Sequence, residues 1–431
     1  MGKIMEKQVL DILKDREEKR IKIDQLIKYY DLVVVKANIV GIDKNVFESY
    51  FLLNYFKKII EDRIKGYINS TTYSSNDGPY IIFSYPKGLI RNLKEQTIAI
   101  EEKDPLGRLI DLDVHLDNHG SIKRPKLRKC LLCDDDAFVC NRKKIHTDKE
   151  IFKKMDEMIL FRLDDLLKKT IDEAIETELN LPYKFGCVCI NDNGSHHDMN
   201  ALIMRNAKKV IIPYFVKMFN IGFTGTNLNE IFKKIRLLGI EAEQAMYKET
   251  KGVNCYKGLI FILGLIVASI GFTIKNNNHT LDKEYYIEEI FKNVKEMAKP
   301  LRDELNDDYI SHNLTNGLKA FKSYNLKGAR HQAIDGLTIV KNWTKELNEI
   351  NEENLERCLI GIIDVIDDTV MFKRCGSIEK YQNVKEMIKN IDSKEKLINV
   401  NNYCIKENIS VGGACDILIT VIFLKKYLNY I

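Results

Sequence analysis

The chain has 431 residues, 45% of them hydrophobic and 30% charged, with a formal net charge of +5. That length suggests two or three domains, and the composition is that of a soluble globular protein. So small an excess of positive charge argues for anionic small molecules rather than nucleic acid. Ten scattered cysteines argue against a secreted disulfide scaffold and for a reducing cytoplasm.

The first stretch, MGKIMEKQVLDILKDREEKR, is charged and has no apolar h-region, so it does not read as a secretory signal. Residues 6–30 read as a helix, with Leu10, Leu13, Ile21 and Leu26 on one stripe. LVVVKANIV, 32–40, reads as a strand ended by Gly41. A helix is predicted over 46–66, and GPYIIFSYP, 78–86, is a strand between turn residues. RLIDLDVHLDNHG then alternates acidic and apolar positions as a strand does. Residues 1–155 therefore form an α/β domain, and the texture changes near 155. Beyond it helical periodicity dominates, over 159–179, 201–219, 228–250, 257–272, 283–305, 313–324, 329–348, 352–372, 381–391 and 415–430. Residues 156–431 are predicted to be a larger all-α domain. The longest apolar run, from Gly258 to Thr273, falls short of the ~20 residues of a membrane span and reads as a buried core helix.

Five clusters carry candidate chemistry. In GRLIDLDV, Asp111 and Asp113 alternate on the predicted strand, so both face one side. Two such carboxylates suit a Mg²⁺ ion that bridges phosphates. Arg108 and the basic run Lys123, Arg124, Lys126, Arg128 and Lys129 can hold those phosphates. An ordinary edge strand with solvated acids gives the same pattern. RKCLLCDDDAFVCNRKKIH brings Cys130, Cys133, Cys140 and His146 together. Thiolates and imidazole match the tetrahedral preference of zinc, and four free groups of structural cysteine and histidine are the alternative. NGSHHDMN sets Ser195, His196, His197 and Asp198 before a helix, where Ser195 or Asp198 can cap it and free N–H groups can receive phosphate. Finally, Glu243 closes a helix that leads into a Gly-rich loop with Lys251 and Lys257, and Asp367, Asp368 and Arg374 stand in a late helical region. G-x4-G-K-[ST] is absent, as is a G-x-G-x-x-G that opens a helix after a strand.

The order of these motifs is more specific than any one of them. DPLGRLIDLDV, a basic stretch, and RKCLLCDDDAFVCNRKKIH resemble the citrate lyase holo-acyl-carrier-protein synthase family, the apo-citrate lyase phosphoribosyl-dephospho-CoA transferases. DREEKR and VVVKANIVG sit where that family has an Arg-Glu-rich helix and a strand with an Asn. This resemblance covers about residues 6–155. ELNLPYKFGCVCINDNGSHHDM, RLLGIEAEQAMYKETKGVNCYKGLIF, KGARHQAIDG, DDTVMFKRCG and ISVGGACDIL resemble, in order, five signatures of the triphosphoribosyl-dephospho-CoA synthase family, over about 160–425. The chain departs from that family's pattern at Cys189, Lys251, Cys255, Tyr256, His331, Gln332, Val370, Lys373 and Cys375.

The resemblance implies a bifunctional enzyme of the citrate lyase prosthetic group, with a nucleotidyltransferase-like mixed sheet in its N-terminal domain. The helical domain would join ATP and 3′-dephospho-CoA with loss of adenine. The N-terminal domain would pass the product to a serine of the citrate lyase acyl carrier protein with loss of pyrophosphate. It implies Asp111 and Asp113 as Mg²⁺ ligands, and Asp198, Glu243 and Asp368 as acids at the ribose carbon. Arg108, Lys184, Ser195, His196, Asn254, Lys257, Arg330 and Arg374 would be phosphate or nucleotide contacts. The cysteine cluster would shape the end of the first domain, with or without structural Zn²⁺. Neither nucleic acid nor membrane is an expected partner. The departures motivate the alternatives: a transferase or non-enzymatic assembly factor that binds dephospho-CoA or the carrier, or the same step for malonate decarboxylase.

Overall fold

The computed structural model describes residues 2–116, 120–122, 127–276, 283–305 and 316–429. It divides into two compact units, one running to Asp165 and one starting at Leu166. The division lies about ten residues beyond the change of texture at 155, inside a single helix (α5, Asp148–Asn180). Lys123, Arg124 and Lys126 of the basic run lie outside the described residues.

The N-terminal unit is built on a five-stranded sheet with order β2-β3-β1-β4-β5. Its strands are β1 (Asp31–Ala37), β2 (Asn69–Tyr73), β3 (Tyr80–Tyr85), β4 (Ile110–Leu116) and β5 (Gly120–Ser121). Every pairing is antiparallel, which corrects the expected mixed sheet. Strand alternation gives the sheet two faces. Val33, Val35, Ile81, Phe83, Leu112 and Val114 are buried on the side of α2 (Phe47–Arg63) and α3 (Ile90–Lys103). On the other side, Leu32, Val34, Tyr80 and Ile82 pack with Ile23 of α1 (Gly2–Leu26) and with Ile27. The predicted strands and first two helices are present within a few residues. Strand β2 was not foreseen, because NSTTY is polar.

The regular elements of the second unit are all helices among its described residues. Its centre is α8 (Lys257–Asn276), buried nearly all round, with α6 (Ala201–Thr224), α7 (Leu228–Glu249), α9 (Lys283–Met297) and α17 (Gly412–Tyr427) against it. A Cβ on Gly271 would lie 2.3 Å from the Phe219 carbonyl, so glycine there allows α6 and α8 their close approach. α8 is long and apolar enough to cross a membrane, yet 78% of its most apolar stretch is buried in the unit, as a core helix should be. The predicted helix over 283–305 ends at Met297 and is followed by a 3-10 segment, Lys299–Leu305. Two others are each broken into two α-helices. The one over 329–348 divides into α11 (Ala329–Ile334) and α12 (Thr338–Glu346) around Gly336 and Leu337, both at positive φ. The one over 352–372 divides into α13 (Glu352–Val365) and α14 (Thr369–Cys375), where Asp368 caps the second piece. The helix Lys394–Lys406 (α16) was not foreseen.

Candidate active sites

In the N-terminal unit, Asp111 and Asp113 do share a face of β4, the face under α1. Register puts Lys36 of β1 directly opposite Asp111. Arg128 lies 2.7 Å from Asp111 Oδ1 and 2.8 Å from the buried Glu101. Asp77 accepts from Arg16 of α1 at 2.8 Å and from Lys36. Burial would raise the Asp77 carboxyl, but these two cations outweigh it and hold it below its usual range. Burial, with Lys36 nearby, pushes Lys19 of α1 down to about 8. Arg108 Nε is buried with no hydrogen-bond partner among the described residues, and Arg128 stands nearby. Four acids (Asp77, Glu101, Asp111 and Asp113) thus sit among five cations, three of which (Arg16, Lys19 and Lys36) had no assigned role. The stretches DREEKR and VVVKANIVG held them, but only the packing of α1 on the sheet brings them to Asp111.

Cys130, Cys133, Cys140 and His146 converge, with their ligand atoms all within 4.8 Å of one another. Cys133 Sγ is 3.4 Å from Cys140 Sγ and 3.3 Å from His146 Nε2. The edge of a tetrahedron of thiolates around zinc is roughly 3.7 Å at a Zn–S length of ~2.3 Å. The Leu132 N–H also points at Cys130 Sγ, 3.4 Å away, as backbone amides do around metal-bound thiolates. Donor types, number and spacing all fit a closed zinc site. The loop is tied to the acids, since Ala137 N donates to the carbonyl of Arg128, whose guanidinium holds Asp111.

The helical unit contains a cavity of about 830 Å³, within the range of ligand pockets. Of the residues expected to serve the ribosyl chemistry, Glu243, Asn254, Lys257, Arg330, His196 and Asp368 line it. Lys257 Nζ is 2.6 Å from Glu243 Oε2, and Asn254 Oδ1 accepts from Lys257 N at the start of α8. Arg330 Nε is 3.1 Å from Glu304. His196 Nδ1 faces Arg374 Nη2 at 3.0 Å, and a guanidinium can only donate, so Nδ1 accepts. The imidazole is then neutral and its Nε2–H donates to Ser410 Oγ at 3.1 Å. Burial first, and Arg374 second, hold it down to about 4.

Several expected ligand contacts stand elsewhere. Lys184 is fully buried, and its ammonium bonds Glu178 Oε1 at 2.6 Å and the Glu178 carbonyl at 3.0 Å. Ser195 Oγ donates to the Ile409 carbonyl at 2.6 Å and is buried. Arg374 bonds the carbonyls of Ser195 and Asn408 and holds His196 in place. Asp198 is exposed and outside the cavity lining, and the cap of α6 is Asn200 rather than Ser195 or Asp198. Asp368 accepts from Val370 N, Met371 N and Ala414 N, so both its oxygens serve backbone amides. Meanwhile Glu178, Tyr256 and Asp416 line the cavity without having been assigned. Each lies inside a quoted motif, but a motif does not say which of its members the fold turns inward.

Residues 165–430 match the family described as ATP:dephospho-CoA triphosphoribosyl transferase, more than half of the chain. The chain belongs to that family. Residues 7–161 match the family described as apo-citrate lyase phosphoribosyl-dephospho-CoA transferase, so the molecule is an enzyme with two transferase domains for the citrate lyase prosthetic group. The protein named CitXG of Haemophilus influenzae is 28% identical, over 96% of this chain and 95% of its own. Protein CitXG of Leuconostoc mesenteroides subsp. cremoris is 29% identical, over 81% and 80%. The 2-(5''-triphosphoribosyl)-3'-dephosphocoenzyme-A synthase of Haemophilus ducreyi is 27% identical and covers 68% of this chain and 99% of its own.

Proposed function

We propose that the helical unit joins ATP to 3′-dephospho-CoA and releases adenine, and that the N-terminal unit then transfers the product to a serine of the citrate lyase acyl carrier protein and releases pyrophosphate. The observation that carries this reading is that each family-matched unit has its own charged site, one with five cations about Asp111, Asp113, Asp77 and Glu101 and one acidic within a nucleotide-sized cavity. In the N-terminal unit Asp111 and Asp113 would hold Mg²⁺, which would supply charge neutralisation at the transferring phosphate. Arg16, Lys19, Lys36 and Arg108 hold the pyrophosphate oxygens, as cations do for any anionic leaving group. In the helical unit Lys257, Asn254 and Arg330 hold the triphosphate end, with Glu243 orienting Lys257. Asp368 shapes the cavity floor by fixing the starts of α14 and α17. The cysteine cluster binds one structural zinc. The enzyme works in the cytoplasm with the carrier protein as its partner.

The test is a two-stage assay. Purified protein, ATP, Mg²⁺ and dephospho-CoA should release adenine only when both substrates are present. Added carrier protein should then gain the mass of the phosphoribosyl-dephospho-CoA group on one serine. Without adenine release, the chain would be a lone carrier transferase with a helical binding unit. Loading of the malonate decarboxylase carrier in preference to the citrate lyase carrier would move the enzyme to that system.

A further inference from the structure

We propose that Glu178 and Asp416 are the acid–base pair of the ribosyl transfer, with Glu178 taking the proton of the attacking ribose hydroxyl and Asp416 giving one to the departing adenine. This rests on the ribosyl-transfer reading of the helical unit. Glu178 stands in the last turn of α5 and Asp416 in the first turns of α17, and both line the cavity.

Their surroundings differ in sign. Glu178 is 2% exposed, and Lys184 takes its Oε1. Burial alone would discharge Lys184, but Glu178, 2.6 Å away, outweighs burial and raises it. The second oxygen, Oε2, is buried without a hydrogen-bond partner among the described residues. A buried acceptor left so is destabilising, and a substrate hydroxyl would satisfy it.

Among the described residues no cation stands among the main influences on Asp416. Asp368, Glu178 and Cys187 lie near it, and the Leu259 N–H at the start of α8 donates to it. Burial, then the two carboxylates, push it well above the usual carboxylic range, which favours its protonated form. The fold makes room for it, since a Cβ on Gly258 would lie 2.1 Å from its Oδ2. One carboxyl group held by a lysine and one beside other acids suit the roles of base and acid.

An independent observation marks the place as a ligand site. Tyr256 is 1% exposed, lines the same cavity, and its hydroxyl has no partner among the described residues. The other acids are already engaged, Asp368 by backbone amides and Glu243 by Lys257.

The step balances. The bond from the dephospho-CoA 2′-oxygen to the ribose carbon forms, and the bond from that carbon to adenine breaks. The bonding pair leaves with adenine, which accepts the Asp416 proton, and the hydroxyl proton passes to Glu178. Exchange with water resets both carboxyl groups.

The experiment is quenched-flow measurement of adenine release by the full chain, wild type against Glu178→Gln and Asp416→Asn. Each variant should lose about 10²–10⁴-fold in kcat, with the KM for both substrates changed by less than about threefold. N7-methyl-ATP, whose base leaves without needing a proton, should restore turnover to Asp416→Asn and not to Glu178→Gln. The double variant Glu178→Gln/Lys184→Met removes both buried charges, and should keep the wild-type circular dichroism yet stay inactive. Turnover within about tenfold of wild type in a folded single or double variant overturns the assignment, as does failure of N7-methyl-ATP to separate the two. No adenine release from wild type overturns instead the ribosyl-transfer reading beneath it.

Discussion

Lys184 Nζ lies 2.6 Å from Glu178 Oε1, and the two side chains are 0% and 3% exposed. A lysine so placed cannot also reach a phosphate, whatever its motif suggests. Removing one member of a buried ion pair leaves the other charged in a low-dielectric interior, at a cost of about 3–5 kcal/mol. Lys184→Met should therefore lower the stability of the protein by that amount in urea unfolding, and adding Glu178→Gln should restore most of it. A lysine that served only to bind phosphate would show little change in the absence of substrate.

His196 gives a pH dependence with a definite sign. Its folded value of about 4 lies below the ~6.5 of a free imidazole. Between those values the unfolded chain binds a proton that the folded chain does not, so unfolding is favoured as pH falls. The contribution is complete above about pH 6.5 and is lost progressively toward pH 4. Arg374, Asp198 and His197 are the charged groups around it, and Arg374 supplies the repulsion. In His196→Asn, whose amide oxygen can still accept from Arg374, the melting midpoint should vary less between pH 6.5 and 4 than in wild type.

The cysteine cluster predicts metal content. Purified protein should hold about one zinc per chain by elemental analysis, as a closed four-ligand site does. Cys133 touches both Cys140 and His146, so Cys133→Ser should lose the metal and lower the melting temperature by several degrees. Carrier loading should fall with it, because the same loop fixes Arg128 beside Asp111. Adenine release should be unchanged. Loss of loading with metal content and melting temperature intact would mean that a thiol takes part in the chemistry.

What could be read from the sequence follows from the range of each interaction. Asp111 and Asp113 were legible because strand alternation is local, and two residues suffice to fix a shared face. The C-x2-C pair, Cys140 and His146 were legible for the same reason. Glu178 and Asp416 were not, since they meet only when the end of α5 and the start of α17 converge, and no periodicity reports that. Ser195 and Lys184 misled because small polar and basic residues in a Gly-rich motif serve equally well as ligands and as internal braces. Helices were found where an apolar stripe ran unbroken. They were merged where Gly336 and Asp368 turn the chain without interrupting the hydrophobic count.

The two sites should be separable by mutation. Asp111 and Asp113 lie on a face whose cations come from α1, β1 and the loop before α4 (Ala137–Lys143), all within the N-terminal unit. Burial, then Asp113 against the pull of Arg128, raises Asp111, and a bound divalent cation would reverse that preference. Replacement by Asn keeps shape and hydrogen bonding but removes the charge a Mg²⁺ ion needs. Asp111→Asn and Asp113→Asn should each lower carrier loading by about 10²–10³-fold. Both should leave adenine release within about twofold of wild type, because that chemistry uses acids of the other unit. Mass analysis of the carrier after incubation with the purified adduct isolates the second step from the first. Loading that survives either substitution would place the metal ligands elsewhere. The nearest alternative is Asp77, which Arg16 and Lys36 already occupy.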